Sequence, residues 1–372
     1  TPPDPAVVEA VVRALRDVYG NASSVHHFGQ RAKGLLDEAR SAVADLIAAE
    51  PAEIVFTSGG TEADNLALRG AAEALEAGGR RHLIASAIEH EAVLNTVKAL
   101  TRRGWTSTLL RVGPSGVLEP GALEAALTPH TAIVSVMHAN NEIGTIQPIA
   151  ELASLAHAHG ALFHTDAVQS VAKIPVDVRA LGVDLLSLSA HKFNGPKGAG
   201  ALWVRRGTRM MSILTGGRHE RNRRAGTENV PGIAGLGAAA LLARRKLDTE
   251  PARVGALRDR LEAGVLTSVE GTAVNGTGPR VPNTTNISFD GVEAESLLIA
   301  LDLEGFAVST GSACSSGTLE PSHVLRAMGL PAHRTQNSLR FSLGAGNTEA
   351  EVDALLAALP RVVGKLRTLV RR

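Results

Sequence analysis

From about residue 53 onward, short apolar β-rich runs alternate with helix-like stretches, and this alternation constrains the fold more than any other property of the chain. The strand candidates are residues 54–56, 82–84, 107–110, 132–136, 161–163, 185–188 and 201–204. Strands interleaved with helices predict an α/β fold, here a mostly parallel seven-stranded sheet with helices on both faces. Ligands of such sheets bind beyond the carboxyl ends of the strands. Each motif singled out below between residues 57 and 192 falls just after one of these candidates. Upstream, Asp4-Pro5 reads as a helix cap followed by proline at the first helical position. Val7, Val8, Val11, Val12, Leu15 and Val18 then form one apolar face ending at Gly20, and a second helix is expected over about residues 31–49. Past residue 248 the pattern changes to a helix (251–269), a strand (285–289), a helix through Leu297-Leu298, a strand (339–343) and a terminal helix. The expected division is a large ligand-binding domain, residues 4–248, and a smaller α+β domain, residues 249–372 together with residues 1–3.

Charge and composition exclude several classes of function. Hydrophobic residues make up 44% of the chain, enough for a substantial core, and no apolar run approaches the ~20 residues of a membrane span. Lys and Arg number 38 against 37 Asp and Glu, so no net field steers the chain to nucleic acid or to a lipid surface. The basic run Arg218–Arg224 lies between Gly216-Gly217 and Gly226-Thr227, which favours an ordered loop at a site rim or subunit contact over a nucleic-acid patch. Thr1-Pro2-Pro3 shows no secretory leader and reads as a chain whose first residues are missing. The one cysteine, Cys314, excludes internal disulfides and cysteine-rich metal sites, and no metal centre is expected. A single thiol suits a reducing cytoplasm. A lone cysteine often serves as a small buried hydrophobe. The small, polar, glycine-bounded run Gly311–Gly317 instead predicts an exposed, mobile loop and a thiol placed there to react.

Several residues at the strand ends carry chemistry. Lys192 follows the apolar run 185–189, where desolvation can present a neutral amine for condensation with a carbonyl. Asp166 closes the run 161–165. An aspartate there is the usual partner of the pyridinium nitrogen of pyridoxal phosphate, with the lysine holding its aldehyde. A lysine at a strand end is also a common snorkelling surface residue, so the pair gains its meaning from its neighbours. Thr57-Ser58-Gly59-Gly60-Thr61-Glu62 opens a helix whose N–H groups and dipole suit an anion, and its spacing matches neither dinucleotide nor nucleoside triphosphate loops. Ser189 and His191 stand where they could donate to the same phosphate. His90, within Glu89-His90-Glu91, could stack on a flat ring and move protons near neutral pH; a surface histidine at a helix start is the plainer reading. Asn140-Asn141 could be simple turn formers. Gln169 sits three residues past Asp166, where it could hydrogen-bond the phenolic oxygen of such a cofactor. Arg340 lies in an apolar strand and needs a carboxylate, supplied either by an internal Asp or Glu or by an amino-acid substrate.

These segments occur in one family order: Gly20-Asn21 with Ser23-Ser24, Thr57–Glu62, Glu89-His90, Asn140–Gly144, Asp166–Gln169, Ser189–Lys192, Gly226–Asn229, Gly311–Cys314 with Leu319–Ser322, and Arg340–Gly344. The chain resembles the class V, fold-type I pyridoxal phosphate enzymes, and within them the cysteine desulfurases of the NifS/IscS group. The resemblance implies that Lys192 holds the cofactor aldehyde, Asp166 holds the pyridinium N–H, His90 stacks on the ring and Gln169 contacts its oxygen. Gly60, Thr61, Ser189 and His191 would bind the phosphate, joined by Thr227 from the second subunit of a homodimer. Asn141, also beside the cofactor, and Arg340 would fix the carboxylate of L-cysteine. The freed Lys192 would then carry the Cα proton, and Cys314 would attack the substrate sulfur, keeping a persulfide and releasing alanine. A free thiol has a pKa of roughly 8.5, so this one needs help to ionise. The sulfur would pass to an acceptor protein, in iron–sulfur assembly, tRNA thiolation or DNA phosphorothioate modification, with nucleic acid reached only through that partner.

Two departures from the family pattern are expected to matter. Only Thr1-Pro2 remains of the opening strand motif, and a chain ending at Arg372 is shorter than the tail housekeeping members use for scaffold docking. Three other functions fit some of the same residues: a selenocysteine lyase, another class V aminotransferase, and a sulfur-relay platform without turnover.

Overall fold

A computed structural model describes residues 1–310 and 321–370. Seven strands form one sheet: β1 (Ile54–Thr57), β2 (His82–Ser86), β3 (Thr106–Leu110), β4 (Thr131–Ser135), β5 (Leu162–Asp166), β6 (Leu185–Ser189) and β7 (Gly200–Val204), in the order β1-β7-β6-β5-β4-β2-β3. Pairing is parallel from β3 across to β6, and β7 runs antiparallel to both of its neighbours. Every residue of β1, β2, β4, β6 and β7 is buried, so both faces of the sheet are covered, as unbroken apolar strands require. The edge strand β3 faces solvent over most of its length, with Thr106, Ser107 and Leu109 exposed and only Leu110 buried.

Helices α1 (Pro5–Asp17), α2 (His27–Leu46), α3 (Gly60–Leu75), α4 (Glu91–Thr101), α5 (Pro120–Ala126), α6 (Ile149–Ala158), α7 (Val178–Leu181) and α8 (Val230–Lys246) accompany this sheet. With few aromatic residues available, the core around α3 is built from Val55, Leu66, Leu68, Leu83, Val93, Val97, Ile133, Leu185 and Leu202 closed by Trp105. The single apolar face expected for α1 is split. Val7 is buried and Val11 reaches Gly235 on α8, whereas Val8, Val12 and Leu15 are 47%, 47% and 62% exposed.

The chain divides into two compact units. The first holds Thr1–Leu110, Pro120–His138 and Pro148–Leu247; the second holds Arg111–Glu119, Ala139–Gln147 and the chain from Asp248 onward. This corrects the expected boundaries in two places. Residues 1–3 belong with the large unit, because Thr1 Oγ1 donates to His191 O (3.1 Å) and Asn194 Nδ2 to Pro2 O (2.9 Å). Two excursions of the sheet's connections belong with the small unit: Ile146 N donates to Pro279 O (2.7 Å), and Leu118 N to Gln147 Oε1 (2.8 Å). In that unit β8 (Thr272–Val274), β9 (Thr284–Phe289) and β10 (Ser338–Ser342) make an antiparallel sheet with β9 central. Helices α9 (Glu250–Ser268), α10 (Ala294–Leu303) and α13 (Glu349–Val370) pack around Ile287, Phe289, Leu297, Leu339 and Phe341; α11 (His323–Ala327) and α12 (Ala332–Gln336) are short.

One close approach sets the end of the first sheet where the strands deliver their functional residues. A Cβ on Gly200 would lie 2.7 Å from both Gly59 Cα and Leu188 O, backbone atoms that cannot swing aside. Gly200→Ala should therefore destabilise the protein by about 1–3 kcal/mol, read as a lowered urea midpoint. An unchanged midpoint would show that β1 and β7 have room to separate.

Candidate active site

Four strand ends of the first unit deliver the expected cofactor residues. Asp166 is the last residue of β5, and Ser187 lies opposite it in register on β6. Ser189 ends β6, and Lys192 closes the 3-10 turn Ala190–Lys192 that follows. Gly59 and Gly60 follow β1 and start α3, and His90 follows β2 as the cap of α4, its Nδ1 accepting from Ala92 N at 3.1 Å.

The geometry there fits a phosphorylated pyridine. No side chain caps α3, so its first-turn N–H groups stay open to an anion. Gly59 holds φ +153°, a conformation that favours glycine, and an ideal Cβ on Gly60 would lie 2.8 Å from Val168 Cγ2. Facing this turn, Ser189 Oγ is buried and has no partner among the described residues. A buried hydroxyl left unpaired costs about 1–3 kcal/mol, which a bound phosphate oxygen would recover. Thr61 is exposed at the open edge, and His191 and Lys192 are half-buried. His191 is held below the usual imidazole range by burial and by the Lys192 charge. Gln169 Oε1 accepts from Lys173 Nζ at 2.5 Å, which fixes the amide beside Asp166.

Asp166 is buried, with Oδ1 accepting from Val168 N at 2.9 Å. Burial raises its pKa, and the Val168 N–H and the charges of His90, Lys192 and Lys173 oppose the rise. A pyridinium N–H would add both a donor and a positive charge where the carboxylate needs them. Behind it sit two acids that sequence reading passed over. Glu89 is fully buried, accepts from Ser86 Oγ and Met137 N, and is pushed up to about 8 by burial, then by the Asp166 charge. Asp64 is raised well above the carboxylate range by burial, then by Asp166. His164 lies between Ser135 Oγ (2.8 Å) and Ser187 Oγ (3.1 Å), and burial lowers it to about 3, so it is neutral. Asp64 was detectable in principle, as the one charge among the small apolar residues on the buried side of α3.

The arginine-rich loop is ordered at the rim, as its flanking glycines suggested. Arg224 Nε donates to Glu62 Oε1 (2.7 Å), and Glu62 Oε2 accepts from Ser58 N (2.8 Å), tying the loop to the start of α3. Thr227 is exposed beyond it.

In the second unit, the turn Asn140–Gly144 is closed by Asn140 Oδ1, which accepts from Glu142 N (2.8 Å) and Ile143 N (3.0 Å). Arg340 Nη1 donates to Asn141 O at 2.9 Å, so the structure brings these two expected substrate residues together. The internal partner of Arg340 is thus a backbone carbonyl; its buried Nε has no partner, and burial lowers its pKa. Cys314 lies outside the described residues. Among the described residues no cluster of His, Cys, Asp or Glu could hold a metal, and no helix is long and apolar enough to cross a membrane.

Comparison with known proteins agrees with this geometry. Residues 1–355 match the family model "Aminotransferase class-V", and the chain belongs to that family, whose members bind pyridoxal phosphate. A cysteine desulfurase of Trichormus azollae is 49% identical, over 98% of this chain and 91% of that protein. A solved NifS-like protein superposes with a TM-score of 0.91 at 36% identity, covering 98% of this chain and 97% of the other. DndA from Streptomyces lividans does so with a TM-score of 0.80 at 43% identity, covering 92% and 97%. Within the class V family, this chain is one of the pyridoxal phosphate-dependent cysteine desulfurases.

The buried acid behind Asp166 has a measurable consequence. Glu89 keeps its proton in the fold up to about 8 but loses it near 4.5 when unfolded. Its contribution to stability is therefore complete below 4.5 and is lost as pH rises through about 8. Glu89→Gln keeps the acceptor for Ser86 and Met137 without a titrating proton. Denaturant unfolding across that window should show a shallower fall of stability with pH than in the wild type. Equal slopes would mean that Glu89 is ionised in the folded protein.

Proposed function

We propose that the desulfurase reaction of this chain is divided between Lys192, Asp166 and His90 at the cofactor and Cys314 at the sulfur. Bound pyridoxal phosphate supplies an electron sink for the substrate Cα. Lys192 would hold the cofactor aldehyde, and its amine would carry the proton at the substrate Cα. Asp166 would keep a proton on the ring nitrogen, His90 would lie over the ring and serve in proton transfer, and Gln169 would orient its oxygen. Gly60, Thr61, Ser189 and His191 hold the phosphate. Asn141 and Arg340 take the substrate carboxylate. Cys314, as thiolate, attacks the substrate sulfur: an S–S bond forms and the Cβ–S bond breaks. That electron pair leaves with the carbon skeleton, which is protonated to alanine. The observation that carries this reading is Ser189 Oγ, buried and unpaired against an uncapped helix start, beside a lysine and a buried aspartate on adjacent strand ends.

The persulfide then passes to an acceptor protein in the cytoplasm, for iron–sulfur assembly, tRNA thiolation or DNA phosphorothioate modification. The functional unit is a homodimer, supported by the exposed stripe Val8, Val12 and Leu15 on α1 and by Tyr19, 71% exposed and stacked on Phe28 at 5.4 Å. The exposed Thr227 hydroxyl is then available to the phosphate site of the second copy.

Cys314→Ser should keep the cofactor absorbance and lose both persulfide and alanine formation; release of alanine at the wild-type rate would remove Cys314 from the mechanism. Lys192→Ala should lower turnover by ~10²–10⁴-fold, as loss of a positioned proton carrier does. Val12→Glu combined with Leu15→Lys should convert the dimer to a monomer in light scattering and weaken cofactor retention. A wild type that sediments as a monomer would overturn the assignment of Thr227.

A further inference from the structure

Two short hydrogen-bonded links converge on one turn of the second unit, and the expected roles use neither. Ser322 is the N-cap of α11 and is 2% exposed; its hydroxyl accepts from Leu325 N at 3.1 Å and donates to Glu142 Oε2. Glu142 is equally buried, and its own carbonyl accepts from Asn286 Nδ2 at 3.2 Å, so it cannot drift with its partner. On the other side, Ser309 and Arg340 exchange backbone hydrogen bonds, Arg340 N to Ser309 O at 2.6 Å and Ser309 N to Arg340 O at 3.2 Å. Arg340 in turn donates to Asn141 O. Ser309 and Ser322 flank the segment that contains Cys314, and both trace back to the adjacent residues Asn141 and Glu142.

We propose that Glu142, through Ser322, is a positioning residue for the Cys314 nucleophile. The turn that holds the substrate carboxylate, through Asn141 and Arg340, also fixes both roots of the nucleophile's segment. This rests on the reading of Cys314 as the sulfur acceptor. A buried carboxylate is otherwise a costly choice beside a serine. Burial raises the pKa of Glu142, while the Ser322 hydroxyl and the charges of His323 and Arg340 counter the rise. The chain places a carboxyl where an apolar residue would pack without this cost, and its carboxylate oxygen is bonded to the helix cap that begins where the segment ends. Misplacing a reacting group by about an ångström costs on the order of 10²-fold in rate.

The test uses holoenzyme mixed rapidly with L-cysteine. The change in cofactor absorbance reports substrate binding, and alkylation followed by mass spectrometry reports the Cys314 persulfide. Glu142→Ala should leave cysteine affinity nearly unchanged and slow persulfide formation on the order of ten- to a hundredfold, a loss in kcat rather than KM. Glu142→Gln, whose amide oxygen still accepts from Ser322, should restore most of the rate. Ser322→Ala should match Glu142→Ala, and the double variant should be no slower than either single one. Should Glu142→Ala fail to fold, Ser322→Ala, which removes one hydroxyl, gives the same reading. Persulfide formation at the wild-type rate in Ser322→Ala, or a Gln variant as slow as the Ala variant, would overturn the proposal. A wild type that makes alanine without ever labelling Cys314 would instead overturn the assignment of the nucleophile, and the positioning role with it.

Discussion

The first unit is organised around one negative charge kept out of water. Asp166 sits at the end of a buried strand, and its nearest acids, Glu89 and Asp64, are both pushed toward their protonated forms. Three ionised carboxylates in such a space would repel one another strongly, because the surrounding dielectric is low. Burial raises all three, and of the three only Asp166 has cations nearby, His90, Lys192 and Lys173, that favour its charged form. His164, neutral between two serine hydroxyls, adds no compensating charge. The carboxylate is thus left to be neutralised from the ligand side, which is the condition for holding a protonated ring nitrogen.

That charge is useful only if the phosphate end of the cofactor is held at a fixed distance, and the second constraint lies behind the glycine turn. Arg40 donates to Ile54 O (2.8 Å) and, through both terminal nitrogens, to Glu220, whose carboxylate also accepts from Phe56 N (2.9 Å). The guanidinium lies 4.4 Å from the centre of the Phe56 ring. Glu220, Arg221 and Asn222 all hold left-handed φ values of 45°, 57° and 65°, which cost roughly 1–2 kcal/mol each for residues with a side chain. The buried, fully hydrogen-bonded ion pair holds this turn in place, and removing one partner of such a pair costs about 3–5 kcal/mol because the other charge is left unpaired. The strained turn brings Arg224 to Glu62 and so fixes the start of α3 from outside.

Much of this was legible in the sequence, for a physical reason. All seven strands of the main sheet overlap the β-rich runs read from the sequence; for the strands buried on both faces that follows from the mostly apolar composition such burial demands, whereas β3 lies at an exposed edge. Asp166, Ser189, Lys192, Gly60 and His90 could be singled out as candidates because parallel sheets present ligands at strand ends, and all five lie at such ends. The rest escaped because its signal is three-dimensional. The sequence marks Asp64 only as one charge on an otherwise apolar helix face and says nothing of the proton it keeps. The assignment of residues 1–3 to the small domain overlooked a few hydrogen bonds to the loop after β6. The split of the α1 face depends on α8, distant in sequence, covering one side only.

The turn Asn140–Gly144 shows how a short motif can carry more than the role first assigned to it. Two consecutive asparagines suggest a turn, and the turn is there: the first closes it through its side chain, and Gly144, at φ +75°, lets the chain reverse against Thr284. Its remaining polar groups are spent outward, the Asn141 carbonyl on Arg340 and the Glu142 carboxylate on Ser322. A rigid turn whose own hydrogen bonds are satisfied internally can transmit position without deforming. If the turn takes the substrate carboxylate and steadies the segment around Cys314, as proposed, the spacing between those two tasks is set by the covalent link between Asn141 and Glu142, and orientation of this kind is worth orders of magnitude in rate.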